Sequence, residues 1–264
     1  MSIALPARAK LNLDLEVVRR RADGFHELRT TMQEIDLHDV LVVDRASKTE
    51  LTLSGMPVAH NDNSVLKAHA ALERAANRKL PASMHLHKRI PPGSGMGGAS
   101  SDAAAALKAL KLLYAVDLDP DLDLAPIAAE IGSDVPFFLQ GGRARVEGRG
   151  EKVTREATRG GWFAIAWPGI ELATSAVYEA WDETGGRSLR HAAERVEPKL
   201  KAFADRLGAG WTMTGSGSAF FKPAGTRQEA NQAIAELECW TAVATAVATP
   251  AASAVATPPA SAVE

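Results

Sequence analysis

Hydrophobic and polar residues alternate along the start of the chain almost without lapse. Ile3, Leu5, Ala7, Ala9, Leu11, Leu13, Leu15 and Val17 take odd positions, while Arg8, Lys10, Asn12, Asp14 and Glu16 take even ones. A period of two predicts a long, half-buried strand and puts Lys10 and Asn12 on one face. The run Arg20-Arg21-Ala22-Asp23-Gly24 is a turn signal, and residues 35–43 read as the next strand. A helical period covers 64–76, and alternation returns over 84–90. A helix over 103–114 then carries Leu107, Leu110, Leu113 and Tyr114 on one stripe. A short helix over 124–131 ends at Gly132, and strands are predicted at 135–139, 143–147 and 162–167. Further on, a short helix starts near Thr174 and a longer one over 193–207 closes at Gly208. Residues 211–222 read as strand, glycine turn and strand, and a last helix spans 228–237. Strands and helices mixed without strict alternation predict an α+β fold rather than a doubly wound parallel sheet.

Composition narrows the classes. A chain of 264 residues has room for one large domain or two moderate ones. Its 30 Lys and Arg against 32 Asp and Glu argue against a nucleic-acid binder that works through a global basic field. Cys239 is the single cysteine, so a disulfide scaffold is excluded. No apolar stretch as long as a signal-peptide core stands at the start, which predicts no secretory signal and a cytoplasmic protein. Residues 241–263 use only Ala, Val, Thr, Pro and Ser, and repeat Ala-Val-Ala-Thr-Pro at 246–250 and 254–258. That stretch is long enough to span a membrane, but it lacks Leu, Ile and Phe and contains Pro250, Pro258 and Pro259. It reads as a disordered extension over 241–264, so globular structure is expected to end near Trp240.

The most informative stretch is Pro91-Pro92-Gly93-Ser94-Gly95-Met96-Gly97-Gly98-Ala99-Ser100-Ser101-Asp102. It lies between a predicted strand and a predicted helix. Glycines allow close backbone approach to a ligand, and a helix amino terminus offers free N–H groups, a combination suited to phosphate. Gly93, Gly95 and Gly98 fit Gly-x-Gly-x-x-Gly, which is weak alone. Ala99 stands where a Walker A loop needs Lys, and Asp117 follows a helix rather than ending a strand, so neither a Walker nor a Rossmann loop fits. Ser100 and Ser101 could cap the helix, bind phosphate and a metal, or do both.

This loop resembles the second motif of the GHMP kinases, and the further blocks resemble one family within them, the 4-diphosphocytidyl-2-C-methyl-D-erythritol kinases of non-mevalonate isoprenoid synthesis. Those blocks are Pro6-Ala7-Arg8-Ala9-Lys10-Leu11-Asn12-Leu13 with Arg21-Ala22-Asp23-Gly24-Phe25-His26-Glu27-Leu28, then Gly132-Ser133-Asp134-Val135-Pro136-Phe137-Phe138-Leu139 with Gly141-Gly142 and Glu147-Gly148-Arg149-Gly150-Glu151, then Gly215-Ser216-Gly217-Ser218. They occur in the family's order. The resemblance implies two α+β lobes with the active site in the cleft between them, an amino-terminal lobe over 1–150 and a shortened carboxy-terminal lobe over 151–240.

The resemblance also implies roles. Asp134 would take a proton from a substrate hydroxyl, and Lys10 would hold that carboxylate ionised. Pro91, Gly93, Gly95, Met96, Gly97, Gly98, Ser100 and Ser101 would cradle ATP, with Mg²⁺ bridging its phosphates. His26 would read the cytosine edge while Phe25 and Tyr178 stack on the ring. Asn12 would contact substrate, and Thr174 would help to hold Lys10. The partner is then a small molecule, a cytidine diphosphate-linked methylerythritol, with no nucleic acid and no membrane. Read without the motifs, Lys10 is a surface ion, Asp134 a helix cap and His26 a solvated turn residue. Three departures stand out: Ala99 replaces a glycine, Phe25 replaces a tyrosine, and the stretch from Tyr178 to Gly215 is short. Two rivals remain open, another alcohol kinase of the same superfamily and an inactive nucleotide-binding module.

Overall fold

The computed structural model describes residues 2–60, 62–186 and 188–249. In chain order the elements are β1 (Ser2–Arg20), β2 (His26–Arg45), β3 (Glu50–Gly55), α1 (Ser64–Ala76), β4 (Ala82–Lys88), α2 (Gly98–Leu113), α3 (Leu124–Ile131), α4 (Val135–Gln140) and β5 (Arg143–Gly148). They continue with β6 (Lys152–Glu156), β7 (Trp162–Trp167), α5 (Thr174–Glu183), α6 (Leu189–Val196), α7 (Lys199–Leu207), β8 (Thr212–Met213), β9 (Phe220–Ala224), α8 (Arg227–Ile234) and β10 (Trp240–Thr245). None of these helices is long and apolar enough to cross a membrane.

The opening alternation folds into one strand, β1, antiparallel to β2 along its length. β2 is the spine of the first sheet. Its far edge takes β5 beside Leu28 to Gln33 and β4 beside Val40 to Arg45, and β6 and β3 close the two ends. Helices α1 to α4 pack with this sheet around Leu72, Leu86, Leu107, Leu110 and Phe137. The second sheet has the order β10-β7-β9-β8.

The apolar stripe of β1 ties both lobes together. Ile3, Leu5 and Ala7 enter the core beneath the first four helices, and Ala9, Leu11 and Leu13 meet Phe163, Ile165 and Phe221 between the sheets. Leu15 and Val17 then reach a third core, with Val177, Trp181, Leu200 and Phe203 of the second lobe. Residues 9–12 are buried on both faces of the strand. Their polar side is covered by two loops: the Lys10 N–H donates to Met96 O at 3.0 Å, and the Asn12 N–H donates to Thr214 Oγ at 3.0 Å.

The structure corrects several expectations. Residues 135–139 form helix α4 rather than a strand, with proline in its first turn; a short apolar run fits either period, and proline is well placed where a helix begins. The predicted helix over 193–207 is two helices, α6 and α7, parted at Glu197 and Pro198, because proline supplies no N–H to continue the first one. β6 belongs to the first sheet, so that lobe runs on to Glu156 instead of ending at 150.

The largest correction concerns the extension. Residues 241–249 are ordered: β10 pairs with β7 from Trp240 to Thr245, Ala246 bridges Ile35, and the Val247 N–H donates to Glu34 O at 2.9 Å. Thr249 accepts from the Arg143 N–H at 3.0 Å and donates to Glu156 O at 2.8 Å. Thr and Val suit an edge strand, and β7 supplies a partner that no local pattern announces. The disordered extension expected over 250–264 lies outside the described residues.

A chain ending at Trp240 therefore loses its edge strand and this clasp, and should melt at least about 5 °C below the full chain. One ending at Thr249 keeps both and should melt above the chain that ends at Trp240. Equal melting temperatures for all three in a calorimetric scan would contradict the structural role of 241–249.

Candidate active site

β4 ends at Lys88 and leads into the glycine loop, which turns through positive φ at Gly93, Gly95 and Gly97 before α2 begins. Two of these glycines are required by close approach. A Cβ at Gly95 would lie 2.2 Å from Thr214 O, and one at Gly97 would lie 2.8 Å from Phe138 Cζ. The loop is thus pressed between the 214–217 turn and α4. Gly97 is the N-cap of α2 and no side chain caps that end. The N–H groups of the first turn and the positive end of the helix dipole are left for an anion.

Lys10 is buried where loop, strand and helix meet. Its Nζ donates to Asn12 Oδ1 at 2.6 Å and to Gly95 O at 2.8 Å, and stands 3.5 Å from Asp134 Oδ2. Asp134 holds the N-cap position of α4 without capping it by its side chain, so its carboxylate is turned to Lys10. Asn12 is fixed in turn by donating to Thr30 Oγ at 2.9 Å. Thr174 makes no bond to Lys10; its hydroxyl pairs with that of Ser216 at 3.1 Å, so it steadies the third glycine turn instead.

These groups open onto one cavity of about 900 Å³ between the lobes. Its lining includes Val58, Ala59, Ile90 and Pro91, and the rings of Phe25, His26 and Tyr178. The His26 ring stacks on Tyr178 at a centroid distance of 4.8 Å and meets Trp181 edge-on at 5.4 Å. Its Nε2 is 2.9 Å from Asp182 Oδ1, and Asp182 also pairs with Arg20 at 3.4 Å. Burial, with the Asp134 charge adding to it, pushes the Tyr178 phenol well above its usual range, which keeps it a neutral hydrogen-bond donor. Phe25 is 49% exposed, and the Arg149 guanidinium lies over its ring, 4.5 Å from the centroid.

Beneath the glycine loop lies a charged cluster that is almost wholly buried. Lys88 Nζ pairs with Asp39, and with Asp102 Oδ2 at 2.6 Å, while Asp39 also accepts from the Ile90 N–H at 2.8 Å. Asp102 Oδ1 is buried with no partner. Two carboxylates share one ammonium here, so burial and the neighbouring Asp39 charge push the Asp102 carboxyl up to about 7.

Lys10, Asn12, Phe25, His26, Asp134, Thr174 and Tyr178 all line the cavity, as do Pro91, Gly93, Gly95, Gly97, Gly98 and Ser100. Two expected ligands do not. Met96 is fully buried between the sheets, and only its backbone is used; Ser101 is buried with its hydroxyl donating to Gly98 O at 3.0 Å. Sequence reasoning gave no role to Thr214, Trp181, Asp182, the Lys88 cluster or the segment around Val58, and took Arg149 only as a member of the 147–151 block.

An uncapped helix behind a glycine loop, with a Lys and Asp pair set against that loop at the cavity between the lobes, is the arrangement of a phosphotransferase site of the GHMP class. The family profile described as GHMP kinases N terminal domain matches residues 63–142. The chain is 36% identical over 255 residues to the 4-diphosphocytidyl-2-C-methyl-D-erythritol kinase of Chromohalobacter salexigens, covering 87% of this chain and 85% of that one. It is 37% identical over 256 residues to the enzyme of the same name from Shewanella loihica, covering 89% and 90%. A crystal structure of 4-(cytidine 5'-diphospho)-2C-methyl-D-erythritol kinase superposes with a TM-score of 0.77 at 33% identity, over 92% of this chain and 99% of that one. Homoserine kinase from Cytophaga hutchinsonii, 17% identical with a TM-score of 0.65, shares the fold. The chain belongs to the family of 4-diphosphocytidyl-2-C-methyl-D-erythritol kinases.

The Lys88 cluster makes a pH-dependent contribution. With its pKa raised on folding, Asp102 binds a proton in the native state that it has lost in the unfolded state between about pH 4 and 7, so stability falls as pH rises through that window. The stability of the wild type relative to Asp102→Asn should decline from pH 5 to pH 8 in urea titrations. A constant difference would contradict the assignment.

Proposed function

We infer that the protein transfers the γ-phosphoryl group of ATP to the 2-hydroxyl of 4-diphosphocytidyl-2-C-methyl-D-erythritol. The observation that carries this reading is that the Lys10 and Asp134 pair, the glycine loop with its open helix terminus, and the rings of Phe25, His26 and Tyr178 all line one cavity. One cavity can therefore hold both a triphosphate and a cytidyl group beside the pair.

The ATP end fits its ligand. The apolar wall of Val58, Ala59, Ile90 and Pro91 suits a purine, and the loop from Gly93 to Gly98 with the first turn of α2 suits its phosphates. Among the described residues no three His, Cys, Asp or Glu side chains are grouped to hold a metal. Mg²⁺ is content with few protein ligands when phosphates supply oxygens, and Ser100 is the hydroxyl at hand. When bound, the ion neutralises phosphate charge.

The chain's own residues divide the remaining work. Asp134 accepts the proton of the substrate hydroxyl as its oxygen bonds to the γ-phosphorus and the bond to the bridging β–γ oxygen breaks, releasing ADP. The Lys10 ammonium, oriented by Asn12 and Gly95, lies beside the oxygen on which negative charge develops. At the far end His26, held by Asp182 through Nε2, presents its other edge to a base, and a site built to hydrogen-bond a base rejects an alcohol that lacks one.

Coupled ADP release measured with the cytidyl substrate and a panel of other alcohols tests this. We expect turnover with the cytidyl alcohol, reduced about 10²- to 10⁴-fold in Asp134→Asn. His26→Ala should raise the cytidyl KM by about tenfold or more and leave the KM for ATP close to wild type. Preference for a non-nucleotide alcohol would favour another kinase of the superfamily, and tight ATP binding without any turnover would favour a binding module.

A further inference from the structure

Four Lys or Arg side chains line the cavity: Lys10, Arg20, Lys88 and Arg149. Three are already engaged with carboxylates. Lys10 faces Asp134, Arg20 pairs with Asp182, and Lys88 is held by Asp39 and Asp102. Arg149 takes part in none of the ion pairs found among the described residues. The nearby acids are committed elsewhere: Asp23 is bound by Arg21 at 3.0 Å, Glu147 pairs with Arg29 at 3.6 Å, and Glu151 accepts the backbone N–H of Arg149 at 2.6 Å.

The position of this free cation is fixed. Arg149 sits in the turn between β5 and β6, flanked by Gly148 and Gly150, both at positive φ. A Cβ at Gly150 would lie 2.5 Å from Ser133 O, so the turn is pressed against the residue preceding Asp134. The guanidinium itself lies over the Phe25 ring, its carbon 4.5 Å from the centroid. Arg149 thus spans the distance between the aromatic end of the cavity and the Lys10 and Asp134 pair. A cation–π contact engages one side of a guanidinium with five N–H donors and leaves donors free for a bidentate acceptor such as a phosphate.

We propose that Arg149 binds the diphosphate of the cytidyl substrate, which makes it a specificity residue for alcohols linked to a nucleoside diphosphate. This rests on the proposed function. A cytidine seated at Phe25, His26 and Tyr178 with its alcohol at Asp134 must carry its two phosphates across the space between them. Arg149 is the unpaired cation there, and Phe25 beneath it links base stacking to phosphate binding in one unit.

Calorimetric titration separates this role from a merely structural one. Cytidine and cytidine 5′-diphosphate are titrated into the full chain with the ATP end filled by Mg²⁺ and a non-hydrolysable ATP analogue. The wild type should prefer the diphosphate by about tenfold or more, and Arg149→Gln should lose most of that preference while binding cytidine within about twofold of wild type. Arg149→Lys, which keeps the charge without the guanidinium fork, should retain part of it. Equal weakening of both ligands would reduce Arg149 to a cover for Phe25 and overturn the proposal, as would no change in either. Failure of the wild type to bind either ligand would overturn the cytidyl reading itself, and the proposal with it.

Discussion

A buried ammonium must find partners, because a charge taken out of water without them costs several kcal/mol. Lys10 meets that demand with groups from three distant parts of the chain: Asn12 on its own strand, the Gly95 carbonyl of the glycine loop, and Asp134 at the start of α4. Satisfying one side chain therefore fixes the position of the phosphate loop relative to the carboxylate. Gly215 has to be glycine for the same reason, since a Cβ there would come within 3.2 Å of Lys10 Nζ and 2.8 Å of Gly95 O.

The rest of the architecture serves to hold that ammonium at a seam. β1 runs its apolar face through all three cores, so the strand cannot shift without disturbing both lobes at once. The segment from Thr241 to Thr249 works from the other side, adding an edge to the second sheet and tying its end to Arg143, Glu156 and Thr158 of the first lobe and its exit. The cleft is thus bounded by two elements from opposite ends of the chain. Beneath the loop, the Lys88 cluster repeats the principle: one ammonium buried between two carboxylates anchors the end of β4 to the first turn of α2.

What the sequence made legible follows from how local each signal is. The alternation of β1 and the placing of Lys10 beside Asn12 on one face are properties of consecutive residues, and they were read correctly. The glycine loop, Asp134 and His26 were carried by compact motifs. Val135 to Phe138 offers only a short apolar run, which suits strand and helix alike, and packing against α2 decides for the helix. The Ala, Val and Thr of β10 look featureless until β7 is beside them. Asp182 meets His26 across 156 positions, and Arg149 gains its meaning only when the β5 to β6 turn is laid against Phe25. No spacing rule reaches contacts of that kind. Met96 and Ser101 are motif members whose side chains are buried and do not line the cavity.

The most direct test of the account is the single-turnover rate of phosphoryl transfer in Lys10→Met at saturating ATP and cytidyl substrate. Methionine keeps most of the buried volume and removes the charge that joins loop, strand and carboxylate. The account predicts a folded protein that still binds ATP but transfers the phosphoryl group at least about 10²-fold more slowly. Transfer at the wild-type rate would contradict it.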